Sequence, residues 1–479
     1  MYELIEINKP DDLDQLGAVL EKSHDAGTVI GKLKAKLSGR CRKVLVEHAY
    51  VDKDYRSTYY NFYAKKGYRY DSSCVRLHFF DERAQLIDGH HLTSHDPTVP
   101  LAAGYFGFMV LRPTNIQTIG RTVLSPDIID GFNGEVITSR FKVHVLGKRL
   151  EVRGFPFMSQ HSDVSVCAHV ACWAILRHYS ERFPAYRELL THDVTRLAHE
   201  FDPGGLLPSL GLGLPHAERV FSSAGTFPLV VAKEPGNERL FKRQLLAYVE
   251  SGFPVFAAMS GREHAIAVIG HGEWLPAPVK SEPLYFASDL VSSLVVVDDN
   301  HFPYLSIDGA AGGCGYGVDD IDAFIVPLPE KLYYPADAVD DFAGLIASDN
   351  YLGFDHSALG PLTVRYFVTT SAALRQFLDA NRSQFDPELV RVAMQLVFPQ
   401  FVWIVELSSL DQWTRGQVAT RLVLDATASC YETNPLFIMH NSTQAYVCDR
   451  GGDHGDALLT LGGPAGTVLS RMPGDLRRR

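Results

Sequence analysis

The chain has no excess of basic residues: 45 Lys+Arg face 56 Asp+Glu among 479 residues, a formal charge of -11. Binding a phosphate backbone calls for a cationic surface, so a nucleic-acid partner is not expected. No apolar run approaches the roughly 18 residues that a membrane span needs. The longest, such as YFGFMVL at 105–111, have strand length, and no membrane partner is expected. The opening MYELIEINKPDDLDQL is acidic and polar, unlike a secretory signal. Cysteine is sparse: the seven at 41, 74, 167, 172, 314, 430 and 448 are an odd number without close paired spacing. That argues against a disulfide framework or a zinc site and makes a reducing cytoplasm the expected location. The sequence also lacks GxxxxGK[ST], a GxGxxG after a strand, HExxH and GxSxG, the signatures of phosphate, dinucleotide, zinc-peptidase and serine-hydrolase sites. His90, His91 and His95, near Asp88 and Asp96, match no metal-ligand spacing, since adjacent histidines in a strand point apart. No cofactor and no metal are expected.

What is present is an ordinary folding composition, 46% hydrophobic and 21% charged. The length exceeds one compact core, and three units are expected, at 1–150, 151–330 and 331–479. The fold class is α+β. Leu13, Leu16 and Leu20 give a helix over 11–23, and strand-like runs follow at 43–47, 75–80, 105–111 and 141–145. The segment from Tyr50 to Tyr70 mixes seven tyrosines and one Phe with Lys53, Arg56, Lys65, Lys66 and Arg69; the expected role is packing at a domain junction. Arg112 and Arg121 share a loop, where arginines most often bind loop carbonyls. The middle unit reads as helices first (167–180, 185–200, 215–224, 239–250) and strands afterwards (254–258, 265–269, 294–297). A Pro-rich stretch from Val326 to Pro335 reads as the boundary to a third mixed unit with strands at 363–368 and 401–407 and a helix at 371–380.

Cys167 stands where a loop becomes a long apolar helix. There a sulfur meets unpaired backbone N–H groups and the positive end of the helix dipole, a setting that favours the thiolate. Downstream, His264 opens the apolar strand Ala265–Ile269, and the strand Leu294–Val297 ends in Asp298-Asp299-Asn300. Cysteine catalysis needs a base for the thiol and a third group to orient that base, and two neighbouring strands can carry both to one sheet end. Asp299 is preferred over Asp298 as the orienting acid, because it leaves one turn residue after the unbroken valine run. Gln160 is the candidate oxyanion donor. The competing residues are Cys172, a turn inside the helix and so expected in the core, His271 on the opposite strand face, His161 and His169 beside the cysteine, and Cys314 in a glycine loop.

The ordered run Cys167-Ala168-His169-Val170-Ala171-Cys172-Trp173-Ala174-Ile175-Leu176-Arg177-His178-Tyr179, then Ser251-Gly252-Phe253-Pro254-Val255, then His264 through Gly270, then a strand ending in Asp, resembles the papain-like cysteine peptidase fold. Within that fold it looks most like the bacteriocin-processing (double-glycine-leader) peptidases, over residues 155–305 only. Ala168 stands where that group has Gly, Gln160 is one position further from the cysteine, and Asn300 replaces the frequent Pro. The resemblance implies a helix bearing the cysteine packed on an antiparallel sheet bearing His and Asp. It also implies thiol hydrolysis of a protein or peptide amide or isopeptide bond, with Cys167, His264, Asp298 or Asp299, and Gln160 in the site. Transfer of the acyl group to an amine, as in papain-like acyltransferases and transglutaminase-type enzymes, and a non-catalytic binding module on the same scaffold are the alternatives.

Overall fold

A computed structural model describes the chain except residues 21–24, 115–117, 161–166, 199–211, 279–280, 310–313, 349, 430–434, 450–454, 464–467 and 479. It is a mixed α+β structure, 32% helix and 34% strand. Three large sheets and the helices between them form successive layers.

The first sheet has seven antiparallel strands in the spatial order Tyr2–Glu6, Lys43–Tyr50, Cys74–Phe80, Tyr105–Leu111, Ile119–Leu124, Lys148–Phe157, Ser139–Val145. Alternation along Lys43–Tyr50 sends Val44 and Val46 to one side and Leu45 to the other, so each face feeds a separate apolar cluster. The second sheet runs Phe227–Ala232, Ala323–Leu328, Val255–Met259, His264–His271, Leu294–Val297, Leu305–Ile307. The third runs Leu284–Phe286, Leu362–Thr370, Phe401–Ser409, Thr420–Asp425, Phe437–His440, Gln444–Asp449, Gly455–Thr460. Among the described strands, the one parallel pairing is Leu284–Phe286 with Leu362–Val364.

The helix Cys167–Arg182 is the layer between the first two sheets. Ala168 through Tyr179 are all buried, His169, Arg177 and His178 among them, as follows for a helix covered by a sheet on each side. Its Val170, Trp173 and Ile175 share one cluster with Val44 and Phe79 of the first sheet and with Ala265, Ala267 and Ile269 of the second. On the other side of the second sheet, Ile266 and Val268 pack with the helix Glu238–Glu250 and with Val364 and Trp403 of the third. The helices Ser371–Ala380 and Pro387–Gln395 cover the outer face of the third sheet. No helix is long and apolar enough to cross a membrane among the described residues, and the six described cysteines are all free.

Several expectations change. The stretch 11–23 is a 3-10 turn, Pro10–Gln15, followed by one short α-turn, Leu16–Val19, with Leu13, Leu16 and Leu20 buried. Of the helix expected over 185–200, residues 185–190 are turn and loop and the helix is Thr191–Ala198; Leu190 N–H donates to Asp193 Oδ2 at 3.0 Å, which closes the start of that helix. The Pro-rich stretch is not a linker at its start: Ala323–Leu328 is a fully buried inner strand of the second sheet. Pro327 is tolerated because the partner Val255–Met259 is paired only up to Ile325, and on its other side it faces Pro228. Nor does the chain divide at 150. The strand Lys148–Phe157 crosses that position, bonding Ser139–Val145 with its first half and Ile119–Leu124 with its last residues. Edge strands are exchanged as well: Glu135–Val136 pairs with Gly270–His271 and, on its other side, with Arg477–Arg478.

Candidate active site

The first turn of the Cys167 helix, the start of the His264 strand and the turn after Val297 meet at one end of the second sheet's strands. Val255–Met259 pairs with His264–Val268, with Met259 opposite His264, and the hairpin between them passes through Glu263, a non-glycine residue in the left-handed region at φ 48°. Held backbone of this kind costs of order 1–3 kcal/mol and tends to gather at functional sites. On the far side, Val297 pairs with Ala267, and the chain turns immediately afterwards. Asp298 makes that turn itself. Its Oδ1 accepts from the Asn300 N–H at 2.8 Å and its carbonyl from the His301 N–H at 3.2 Å, an Asx-type turn.

This turn leaves the other oxygen of Asp298 free to face the imidazole: Oδ2 lies 3.2 Å from His264 Nε2. The Cys167 sulfur lies near enough to act on the charge of the same ring, and both residues line one cavity. Asp298 is 1% exposed, His264 partly buried and Cys167 partly open. Burial opposes the charged imidazole, but Asp298 and the Cys167 sulfur outweigh it, and the His264 pKa is pushed up to about 10. Burial likewise opposes ionisation of Asp298, yet the His264 ring 3.2 Å away, with help from the Tyr316 hydroxyl, holds it at about 2. Asp298 accepts that Tyr316 hydroxyl on Oδ2 as well. Lys32, from the helix Ala26–Lys36, donates to the Asn300 carbonyl at 2.9 Å and fastens the turn from the opposite direction.

The preference for Asp299 is therefore reversed. The strand ends at Val297, so Asp298 is already the turn residue and the one aimed at His264. Asp299 is also buried, 2% exposed, and among the described residues no donor meets either of its oxygens. Burial and the adjacent Asp298 charge push its pKa up to about 7.

Gln160 does not line the cavity of the site; its carbonyl accepts from Arg112 Nη2 at 3.2 Å. The same guanidinium holds the Ser159 carbonyl at 3.0 Å, so Arg112 anchors the chain that leads to the cysteine. Arg121 pairs with Asp52 at 3.1 Å and donates to the Tyr50 hydroxyl at 3.0 Å. Cys172 is fully buried and its thiol pKa is raised by burial, the opposite of a nucleophile's setting. His271 is occupied elsewhere, with Nε2 2.7 Å from Glu250 Oε1. His169 is buried in the helix; His161 lies outside the described residues. The Tyr50–Tyr70 segment packs against the Cys167 helix: Asp54 accepts from Trp173 Nε1 at 3.0 Å and from Arg177 Nη2 at 2.6 Å.

A cavity of about 510 Å³ opens on Cys167 and His264, walled by Leu214, Phe256, Ala258, Met259 and Ala323, with Glu263 beside them. A larger one, about 610 Å³, lies between Arg182 and the third sheet, but its described lining contains neither cysteine nor histidine. His264, Asp298 and Asp299 bring ligand-type atoms within 4.8 Å of one another. Both oxygens of Asp298 already accept hydrogen bonds, and they are not assigned as metal ligands. Sequence reasoning missed Tyr316 and Lys32. Tyr316 follows the recognisable run Gly312-Gly313-Cys314-Gly315, whereas nothing in the local sequence marks Lys32, some 270 positions from the turn it holds.

Comparison with protein-family models, with curated proteins and with solved structures found no match.

Proposed function

We propose that the protein is a thiol hydrolase of papain-like type, acting on an amide or isopeptide bond of a peptide or protein, with Cys167 as nucleophile, His264 as base and acid, and Asp298 as the residue that orients it. The observation that carries this reading is one constellation: a helix-start sulfur and an imidazole lining the same cavity, with the buried Asp298 carboxylate 3.2 Å from that imidazole.

The chemistry follows from the charges. The His264 ring, its pKa pushed up to about 10, is the base that takes the sulfur's proton and the acid that later gives it up. The thiolate attacks the carbonyl carbon, forming a C–S bond and sending the carbonyl pair onto oxygen. The positive end of the helix dipole at Cys167 suits that oxyanion. Collapse breaks the C–N bond while His264 gives its proton to the leaving amine. Water then loses a proton to His264 and attacks the thioester, releasing the acid and restoring the pair. The apolar walls of Phe256, Met259 and Leu214 suit the acyl side of a substrate.

The test is alkylation by iodoacetamide, read residue by residue by mass spectrometry. Cys167 should react at least tenfold faster at pH 7 than Cys314, the other partly exposed described thiol, and His264→Ala should remove the advantage. Equal rates at the two cysteines refute the proposal. With a cleavable peptide library, product carrying an added amine in place of water would redirect the assignment to acyl transfer.

A further inference from the structure

Tyr316 is buried, and its hydroxyl donates to Asp298 Oδ2, the same oxygen that faces His264 Nε2. Its ring leans on the imidazole, with centroids 5.7 Å apart and planes at 56°. The surrounding backbone is tied down on both sides. Cys314 Sγ donates to the Tyr316 carbonyl at 3.2 Å, and the Gly317 N–H donates to Asp320 Oδ2 at 2.9 Å. Asp320 in turn pairs at 3.1 Å with Arg262, two residues before His264. The turn that carries the imidazole is thus linked to its acid twice, once directly and once around this loop.

A carboxylate in that position has competing attractions. His301 Nε2 lies 3.9 Å from Oδ2, Oδ1 is engaged by the Asn300 N–H, Asp299 repels from the next position, and Lys32 sits beyond on the Asn300 carbonyl. Two imidazoles, His264 and His301, compete for one oxygen. A fixed phenolic donor at that oxygen decides between them by fixing the carboxylate's rotamer.

We propose that Tyr316 is a positioning residue: its hydroxyl holds Asp298 Oδ2 on His264 rather than His301, and its ring keeps water from that pair. The consequence for catalysis rests on the thiol-hydrolase reading, but the placement of Asp298 does not, and the experiment separates the two. In Tyr316→Phe, ¹⁵N NMR titration of His264 should show its midpoint lowered by about one unit, tenfold in the proton equilibrium, because the carboxylate no longer stays in place. Alkylation of Cys167 at pH 7 should fall about 5- to 10-fold. A donor that only tempered the basicity of Asp298 would, on removal, leave the His264 midpoint unchanged or raise it; either result overturns the proposal. Should the Phe variant fold poorly, 3-fluorotyrosine at position 316 keeps the shape and donates more strongly. The His264 midpoint should then hold or rise, because a stronger donor keeps the carboxylate in place; a lowered midpoint would mean that the hydroxyl only tempers Asp298 and overturns the proposal. If wild-type Cys167 reacts no faster than Cys314, the hydrolase reading fails while the His264 midpoint still decides the role of Tyr316.

Discussion

Replacing Asp298 with Asn keeps the side-chain shape and removes the charge that stabilises the His264 imidazolium. The alkylation rate of Cys167 at pH 8 should fall at least tenfold in Asp298→Asn, while Asp299→Asn, which replaces a buried carboxyl pushed up to about 7 and lacking any described donor, should stay within about threefold of wild type. The reverse ranking in that assay would restore the assignment drawn from strand pattern alone. The sequence made the pair legible but could not separate its members. Alternation tells two neighbours apart only while the strand lasts, and here it stops at Val297. What decides is a local hydrogen bond, Asn300 N–H to Asp298 Oδ1, that depends on a turn no periodicity reveals.

At the scale of elements, the position of the sulfur depends on a helix locked by charge from the first sheet's side. Arg177 and Asp54 are 1% and 3% exposed and pair at 2.6 Å, and Trp173 shares the same carboxylate. Asp54→Ala would leave Arg177 without its best-buried counter-ion, and chemical denaturation should record a loss of about 3 kcal/mol. A loss below ~1 kcal/mol would mean that Glu188, the other anion on Arg177, is sufficient alone. Here the sequence was read well for type and poorly for connection. Cys167–Arg182, Glu238–Glu250 and His264–His271 follow from unbroken apolar periodicity, and the structure places them within a few residues of expectation. That the tyrosine-rich segment supplies the ion pair for the cysteine's helix was not legible, since Asp54 and Arg177 are 123 positions apart.

Across the whole molecule, titration should narrow stability mainly from the acid side. His78, His178 and His440 are buried, and desolvation drops them to about 4, 3 and 3. Unfolded, they take up protons near 6.5, so their contribution is complete above that pH and is lost as pH falls toward 3–4. Asp298 and Glu250, both held near 2, extend the loss below about pH 4. His264 works in the opposite sense. Its raised pKa adds stability that is fully present below about 6.5 and disappears as pH climbs through about 10. A thermal unfolding midpoint that declines steadily from pH 6.5 to 3.5, and more gently between 8 and 10, is the expected profile; a flat acid branch would contradict the buried, neutral state of the three histidines.

Glu135–Val136 and Arg477–Arg478 both border the sheet that carries the imidazole, while Leu284–Phe286 leaves the middle of the chain to join the sheet beyond it. Every large layer is therefore stitched to its neighbour by borrowed backbone. Rigid-body swinging of one third of the chain against another would have to tear ladder hydrogen bonds first. On the proposed thiol-hydrolase reading, a substrate would reach the sulfur past Gly213–Leu214 and Ser260–Glu263 of the described cavity rim, and an extended strand or tail would fit there better than a folded surface.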